Sequence, residues 1–256
     1  DTNKYKSVNV DSPFHWGQKY EPLSIQIYEN KYNTVVEDFG CIPHKKFKNI
    51  GASPDGINTD ASSTRYGRMV EVKNRFSESV PITGIPKEEY WIQMQLQMNV
   101  CKLNECDFLE TRFKEYSSYS QFKEDGNFNY TKHGKIKGIY LYFQKDEMPH
   151  YEYPELYLTE HEFEEWQTNK IIELEKKNMV WISNIYWYLD KYSCVLVFKN
   201  SLWFNEAVKE INSLWDIIIK ERVSGYEHRA PTKRIRKNTE PTKKNCLINI
   251  SGLKVI

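Results

Sequence analysis

Between residues 14 and 142 the chain alternates short β-rich runs, at 34–40, 47–52, 68–73, 107–113 and 136–143, with helical stretches at 20–29 and 87–101. An alternation of this kind is best satisfied by an α/β fold in which a mixed sheet is flanked by helices. The connections carry turn chemistry at Ser62-Ser63-Thr64 and at 81–86, while 116–135 is polar enough to read as a long mobile connection. From Thr159 onward the pattern becomes helical, with Thr159 as N-cap ahead of Glu160, Glu162, Glu164 and Glu165. A second helix over 203–222 repeats Phe204, Val208, Ile211, Trp215 and Ile218 at three- and four-residue spacing, which predicts one buried stripe. Three zones result: a core over 1–158, a helical extension over 159–225 packed on it, and a basic, flexible tail over 226–256.

Composition narrows the function classes. Hydrophobic residues make up 39% and charged residues 28%, and no apolar run approaches the roughly 18 residues of a membrane span. Lys and Arg number 36 against 35 Asp and Glu, so affinity for nucleic acid must come from local patches. One such patch is the tail, where Arg229, Lys233, Arg234, Arg236, Lys237, Lys243 and Lys244 face only Glu227 and Glu240. It reads as a phosphate-contacting or nuclear-localisation-like run, or equally as a solvated, functionally neutral segment. The five cysteines include no C-x-x-C pair and the six histidines are scattered, which disfavours a metal held by sulfur or nitrogen and suits free thiols in a reducing compartment. The start at Asp1 without Met suggests a missing preceding segment, and no secretory signal is present there.

The chemistry concentrates in Gly51-Ala52-Ser53-Pro54-Asp55-Gly56 and Met69-Val70-Glu71-Val72-Lys73. Side chains alternate along a strand, so Glu71 and Lys73 share one face while Val70 and Val72 share the other. A hairpin joining the two runs would bring the Asp55 carboxylate, held in its Pro-Asp-Gly turn, beside Glu71. Two carboxylates and an ammonium suit a hard divalent cation and phosphodiester hydrolysis. The competing reading is an exposed ion pair on an amphipathic strand. On the helix over 87–101, Gln93 and Gln97 are predicted to turn inward and Gln95 and Asn99 outward, so that the inward amides serve either a cleft or a satisfied polar layer. Glu21 faces apolar neighbours if 14–28 is helical, although Pro22 allows it to be a helix cap instead. Trp181, Trp187, Trp203 and Trp215 could stack bases, but aromatic residues at helical spacing are more often core.

Taken together, Gly17-x-x-x-Glu21, Ser53-Pro54-Asp55-Gly56, Glu71-Val72-Lys73 and Tyr90-x-x-Gln93-x-Gln95 resemble the lambda-exonuclease-like family of YqaJ-type viral recombinases, within the PD-(D/E)XK nuclease superfamily. The resemblance extends over 14–113, and the phrases Gly40-Cys41-Ile42-Pro43-His44 and 51–57 look most like members from large DNA viruses, including giant viruses. It implies a restriction-endonuclease-like core acting as a Mg²⁺- or Mn²⁺-dependent deoxyribonuclease. The metal would be held by Asp55, Glu71 and the Val72 carbonyl, with Lys73 near the attacking water and Glu21 and Gln93 in supporting roles. Ser53, Tyr90 and Gln95 would contact substrate.

The family's upstream arginine and Ser-containing motif, which holds the DNA end, is not found here; it precedes Asp1 or has been lost. An exonuclease on duplex DNA ends is expected, in viral recombination, repair or nucleic-acid degradation. A structure-specific or nonspecific endonuclease of the same fold and an inactive DNA-binding accessory protein are the alternatives. The resemblance leaves open a homo-oligomer and a recombination partner protein. It implies a cytoplasmic setting, in the host cytoplasm or a viral factory, with the nucleus as alternative.

Overall fold

The computed structural model of the protein describes residues 8–230. The tail beyond residue 230, including most of its basic residues, lies outside the described residues. Two compact units divide the chain, one ending at Lys209 and the other beginning at Glu210.

The first helix, α1 (Pro13–Tyr32), starts where the Ser12 side chain accepts the His15 N–H and Pro13 supplies a preset φ. It runs through Pro22, so Glu21 is an interior residue and not a cap. The Tyr153 hydroxyl donates to the Lys19 carbonyl beside this irregularity. Four short strands follow: β1 (Val36–Glu37), β2 (Ile42–Pro43), β3 (Gly51–Ala52) and β4 (Gly56–Asn58). After them come β5 (Met69–Asn74), α2 (Glu88–Cys101) and β6 (Glu105–Glu115). The next elements are α3 (Tyr119–Glu124), β7 (Lys137–Lys145), β8 (Met148–Glu152) and α4 (Glu160–Glu175). The described part ends with β9 (Val180–Phe198) and α5 (Ser201–Ser224), then a short 3₁₀ turn at Glu227–Arg229.

Seven strands form one mixed sheet in the order β1-β4-β5-β6-β9-β7-β8, and β2 pairs with β3 apart from it. β4 meets β5 antiparallel, with Gly56 opposite Val70, and β5 meets β6 in parallel through the α2 crossover. This is the α/β arrangement of a mixed sheet with helices expected from the sequence. Alternation along β5 separates two packing layers. Val70 and Val72 pack with Tyr28 of α1 and Leu109, while Met69 packs with Met94 and Met98 of α2.

Three expectations are corrected. Residues 180–198 are a strand within the zone expected to be a helical extension, and that strand pairs with β6 on one side and β7 on the other. Its run of Val, Ile, Tyr and Trp favours a pleated, partly buried surface over a helix. The boundary drawn at 158/159 therefore cuts through the core sheet, although α4 and α5 supply helices as expected. The stretch 116–135 is not a loose connection. α3 is capped by Ser118 and buries Phe122, and the buried Lys137 ammonium donates to the carbonyls of Phe122 and Asp125, the latter at 2.6 Å. The tryptophans divide between roles: Trp187 is core, Trp203 packs edge-on against Trp91, and Trp181 is exposed.

In α5, Phe204 and Val208 are buried in the first unit. Within the second unit Ile211, Trp215 and Ile218 are half-buried, and the Arg229 guanidinium pairs with Glu221. Among the described residues no helix is long and apolar enough to cross a membrane.

Candidate active site

The chain turns sharply after β3, and Pro54 and Asp55 lead directly into β4. Gly56 is required at this point, because a Cβ there would lie 2.2 Å from Val36 Cγ1 on β1. The Asp55 Oδ2 accepts the backbone N–H of Val72 at 2.7 Å, so the turn is tied to the strand between Glu71 and Lys73. A strand residue directs its N–H and C=O to the same neighbour. The Val72 carbonyl is thus directed to the edge that Asp55 occupies. The loop is held from behind as well, since the Gln97 amide donates to the Ser53 carbonyl at 3.2 Å.

Glu71 is fully buried, and one of its oxygens is paired with the Lys73 ammonium. The other, Oε2, is buried without a hydrogen-bond partner. Lys73 Nζ also lies 3.4 Å from Gln93 Oε1 and 5.0 Å from the centre of the Tyr90 ring. Glu21 shares one cleft of about 430 Å³ with Asp55, Val72, Lys73, Arg75 and Tyr90. It shares a second with Ser53, Asp55 and Asp38.

The carboxylates of Glu21, Asp38 and Asp55 line these clefts together with the cations of Lys73 and Arg75. Burial, followed by the charge of Glu71, pushes the Asp55 carboxyl up to about 7, against the opposing Val72 hydrogen bond. Burial and then Glu71 also raise Glu21. An excess of buried carboxylate with an orphaned oxygen is the environment a hard divalent cation relieves. Among the described residues no three Asp, Glu, His or Cys side chains close into a ready-made cage. The oxygens that could hold a metal here are those of Asp55 and Glu71 with the Val72 carbonyl, a set whose chemistry suits Mg²⁺ or Mn²⁺.

Of the residues singled out in the sequence, Glu21, Ser53, Asp55, Glu71, Lys73, Tyr90 and Gln93 come together around these clefts. Gln95 does not. Its amide is fully buried, donating to the Phe198 carbonyl at 3.0 Å and accepting the Asn200 N–H at 2.5 Å, and so it ties α2 to the β9–α5 connection. The outward direction expected for it fails because that connection covers the face.

Four residues at the site were not anticipated as parts of it. Asn74 donates to the Gly17 carbonyl at 2.9 Å and accepts from Ser24 and Thr111, each at 2.6 Å, which pins α1, and with it Glu21, to the end of β5. Arg75 donates through Nε to Glu110 at 2.9 Å and through Nη1 to the Tyr90 hydroxyl at 3.2 Å. Arg75 continues the every-second-residue series begun by Glu71 and Lys73, which is a signal the sequence carried. Glu110 follows Phe108 and Leu109 within the β-rich run 107–113, which is a weaker signal. Gln97 was expected to turn inward, and it is the Ser53 contact that makes it part of the site.

The YqaJ-like viral recombinase domain family matches residues 1–104, the stretch that contains Glu21, Asp55, Glu71, Lys73 and Gln93. Residues 1–104 are thus similar to a YqaJ-like viral recombinase domain. A relative from Acanthamoeba polyphaga mimivirus, an uncharacterized protein, is 30% identical over 246 residues, covering 82% of this chain. The chain spans 44% of that relative's length. The expected likeness to a giant-virus protein is found. Among solved structures, the alkaline exonuclease LHK-Exo from Laribacter hongkongensis is 29% identical, covering 41% of this chain and 52% of that one, with a TM-score of 0.35. LHK-Exo in complex with dAMP covers 84% of this chain and 74% of its own at 18% identity, with a TM-score of 0.45.

Proposed function

We propose that this protein is a deoxyribonuclease that hydrolyses phosphodiester bonds with Mg²⁺ or Mn²⁺ held by Asp55, Glu71 and the Val72 carbonyl, and that it acts as an exonuclease on duplex ends. The observation that carries the reading is the buried, partnerless Glu71 Oε2 beside an Asp55 whose carboxyl is already pushed upward by burial and then by the Glu71 charge. When bound, the divalent ion would supply Lewis-acid polarisation of the phosphoryl oxygen and acidification of the attacking water.

The remaining work falls to the chain's own side chains. Lys73, anchored by Glu71 and Gln93, presents N–H donors to the attacking water and to the negative charge that develops on the phosphoryl group. Glu21, on the opposite wall, supplies a further carboxylate toward the reacting centre and can accept a proton more readily than an ordinary glutamate. Arg75 is fixed by Glu110 and Tyr90 at the cleft wall, where its remaining N–H groups can meet a non-bridging phosphate oxygen. Asn74 holds the two walls in register.

The test is cleavage of linear and covalently closed duplex DNA side by side, with Mg²⁺, with Mn²⁺ and with excess EDTA. Loss of the linear substrate alone, abolished by the chelator, is expected. Undiminished cutting in EDTA would exclude the metal mechanism, and equal attack on closed circles would assign an endonuclease.

A further inference from the structure

Among the described residues, lysines that no carboxylate pairs cluster on the β2–β3 turn and at the end of α2. The arginines of the core sheet, Arg65, Arg68, Arg75 and Arg112, all meet carboxylates. In contrast, the turn between β2 and β3 exposes Lys45, Lys46 and Lys48, and Lys102 is exposed at the C-terminal end of α2. None of these four has a carboxylate partner among the described residues.

The turn is firmly built. His44 Nδ1 accepts the backbone N–H groups of Lys46 and Phe47 at 3.0 and 3.1 Å, and the His44 ring stacks on the buried Phe204 at 5.9 Å. Lys102 belongs to the same patch, because its charge and that of Lys46 both reach His44 and, after burial, help to lower its pKa. Four like charges held close by a rigid turn repel one another, and a polyanion relieves that cost.

The patch is also aligned with the cleft. β3 leads from the turn directly to Ser53 and Asp55. Along α2, Gln93 beside Lys73 and Lys102 in the patch are nine residues apart, which is about 14 Å at the helical rise. That distance corresponds to roughly four base steps of a duplex. We propose that the β2–β3 turn and the end of α2 form a backbone-tracking surface that grips DNA phosphates a few nucleotides from the bond held at Asp55 and Glu71. The inference rests on the nuclease reading for its substrate, but its test does not depend on turnover.

The experiment measures binding of a short labelled DNA duplex by the full chain in EDTA across about 50–200 mM salt. It compares the unaltered protein, a variant carrying Lys45→Gln, Lys46→Gln, Lys48→Gln and Lys102→Gln, and a control carrying Lys170→Gln and Lys177→Gln, whose lysines are paired on α4. For each patch lysine that touches a phosphate, the slope of log K against log salt should flatten by about 0.9, giving a total of about 2 to 4. The control should keep its slope, and melting temperatures should be unaffected because the four side chains are exposed.

A slope in the patch variant equal to that of the unaltered protein would overturn the proposal, as would an equal flattening in the α4 control. Metal-dependent hydrolysis of a small chromogenic phosphodiester, which fills only the cleft, is measured in parallel. Patch and unaltered proteins should hydrolyse it equally. If neither does so, the nuclease reading fails while the salt slope still decides whether the surface binds DNA.

Discussion

The Asp55 carboxylate accepts the backbone N–H of Val72 at 2.7 Å, the place a backbone carbonyl would take if the β4–β5 ladder continued past Gly56 and Val70, and Pro54, lacking an N–H, offers the Val72 carbonyl no donor there. One side chain thus completes the β4–β5 pairing and places a carboxylate against the Val72 carbonyl. These roles can be separated. Asp55→Asn keeps an oxygen acceptor for Val72 and should fold with a near-normal melting temperature, yet lose metal-induced stabilisation and turnover. Glu71→Gln should behave alike. Lys73→Ala should retain the metal-induced stabilisation while turnover falls by at least on the order of 10²-fold. Thermal melts with and without Mn²⁺, paired with single-turnover cleavage, distinguish the three, and near-normal turnover in a folded Lys73→Ala protein would remove the lysine from the mechanism.

The pH dependence follows from the same carboxyl. Burial and the Glu71 charge raise Asp55 from an ordinary value of 3.8 to about 7, so folding favours its protonated form. The stability this group contributes is full below pH 3.8 and is lost as the pH rises through about 7. Metal binding requires the ionised form, which gives the opposite trend. Without metal, the melting temperature of the unaltered protein should fall between pH 6 and pH 8 by more than that of Asp55→Asn, and the gain on adding Mn²⁺ should be larger at pH 8. Equal pH dependence in the two proteins would show that Asp55 does not titrate in this range.

Gln95 offers a contrast with Gln93, two residues away on the same helix. Both of its polar atoms are consumed by the backbone at Phe198 and Asn200, inside the protein. Gln95→Ala leaves the part-buried Asn200 N–H and Phe198 carbonyl without their partners and should cost about 1 kcal/mol of stability. DNA affinity of the remaining folded protein should not change. Urea melts combined with binding measurements read both quantities, and a loss of affinity at unaltered stability would return Gln95 to the substrate contacts.

The difference between the two glutamines shows what the sequence could reveal. The Asp55 turn, the Glu71–Lys73 face and the direction of Gln93 follow from local periodicity, which a strand or helix imposes on near neighbours. Helical periodicity also placed Gln95 correctly on its face of α2, but it could not show that β9 and α5 would cover that face. β9 itself escaped notice because it is paired on both edges and half-buried along most of its length, so it lacks the clean alternation of a one-sided strand. The Arg75–Glu110 pair needs the parallel register of β5 on β6, in which Lys73 stands opposite Glu110, and that register is fixed only once α2 has crossed over. The left-out partners are thus long-range ones, and they support the site from behind.

Gln97 tests that support directly. Its amide donates to the Ser53 carbonyl at 3.2 Å, one residue before the proline that sets the Asp55 turn, while its own oxygen is buried without a partner. Removing the side-chain amide therefore deletes one hydrogen bond and also one unsatisfied acceptor, and Gln97→Met, which preserves length, should cost no more than about 1 kcal/mol of stability. The consequence should instead be positional. With the Ser53 carbonyl released, the Asp55 turn keeps only its Val72 contact, so the metal-induced rise in melting temperature should shrink and turnover at saturating DNA should fall by about tenfold, while DNA affinity in EDTA stays the same. Turnover equal to that of the unaltered protein would show that the Val72 hydrogen bond and the β4–β5 pairing hold Asp55 without help from α2.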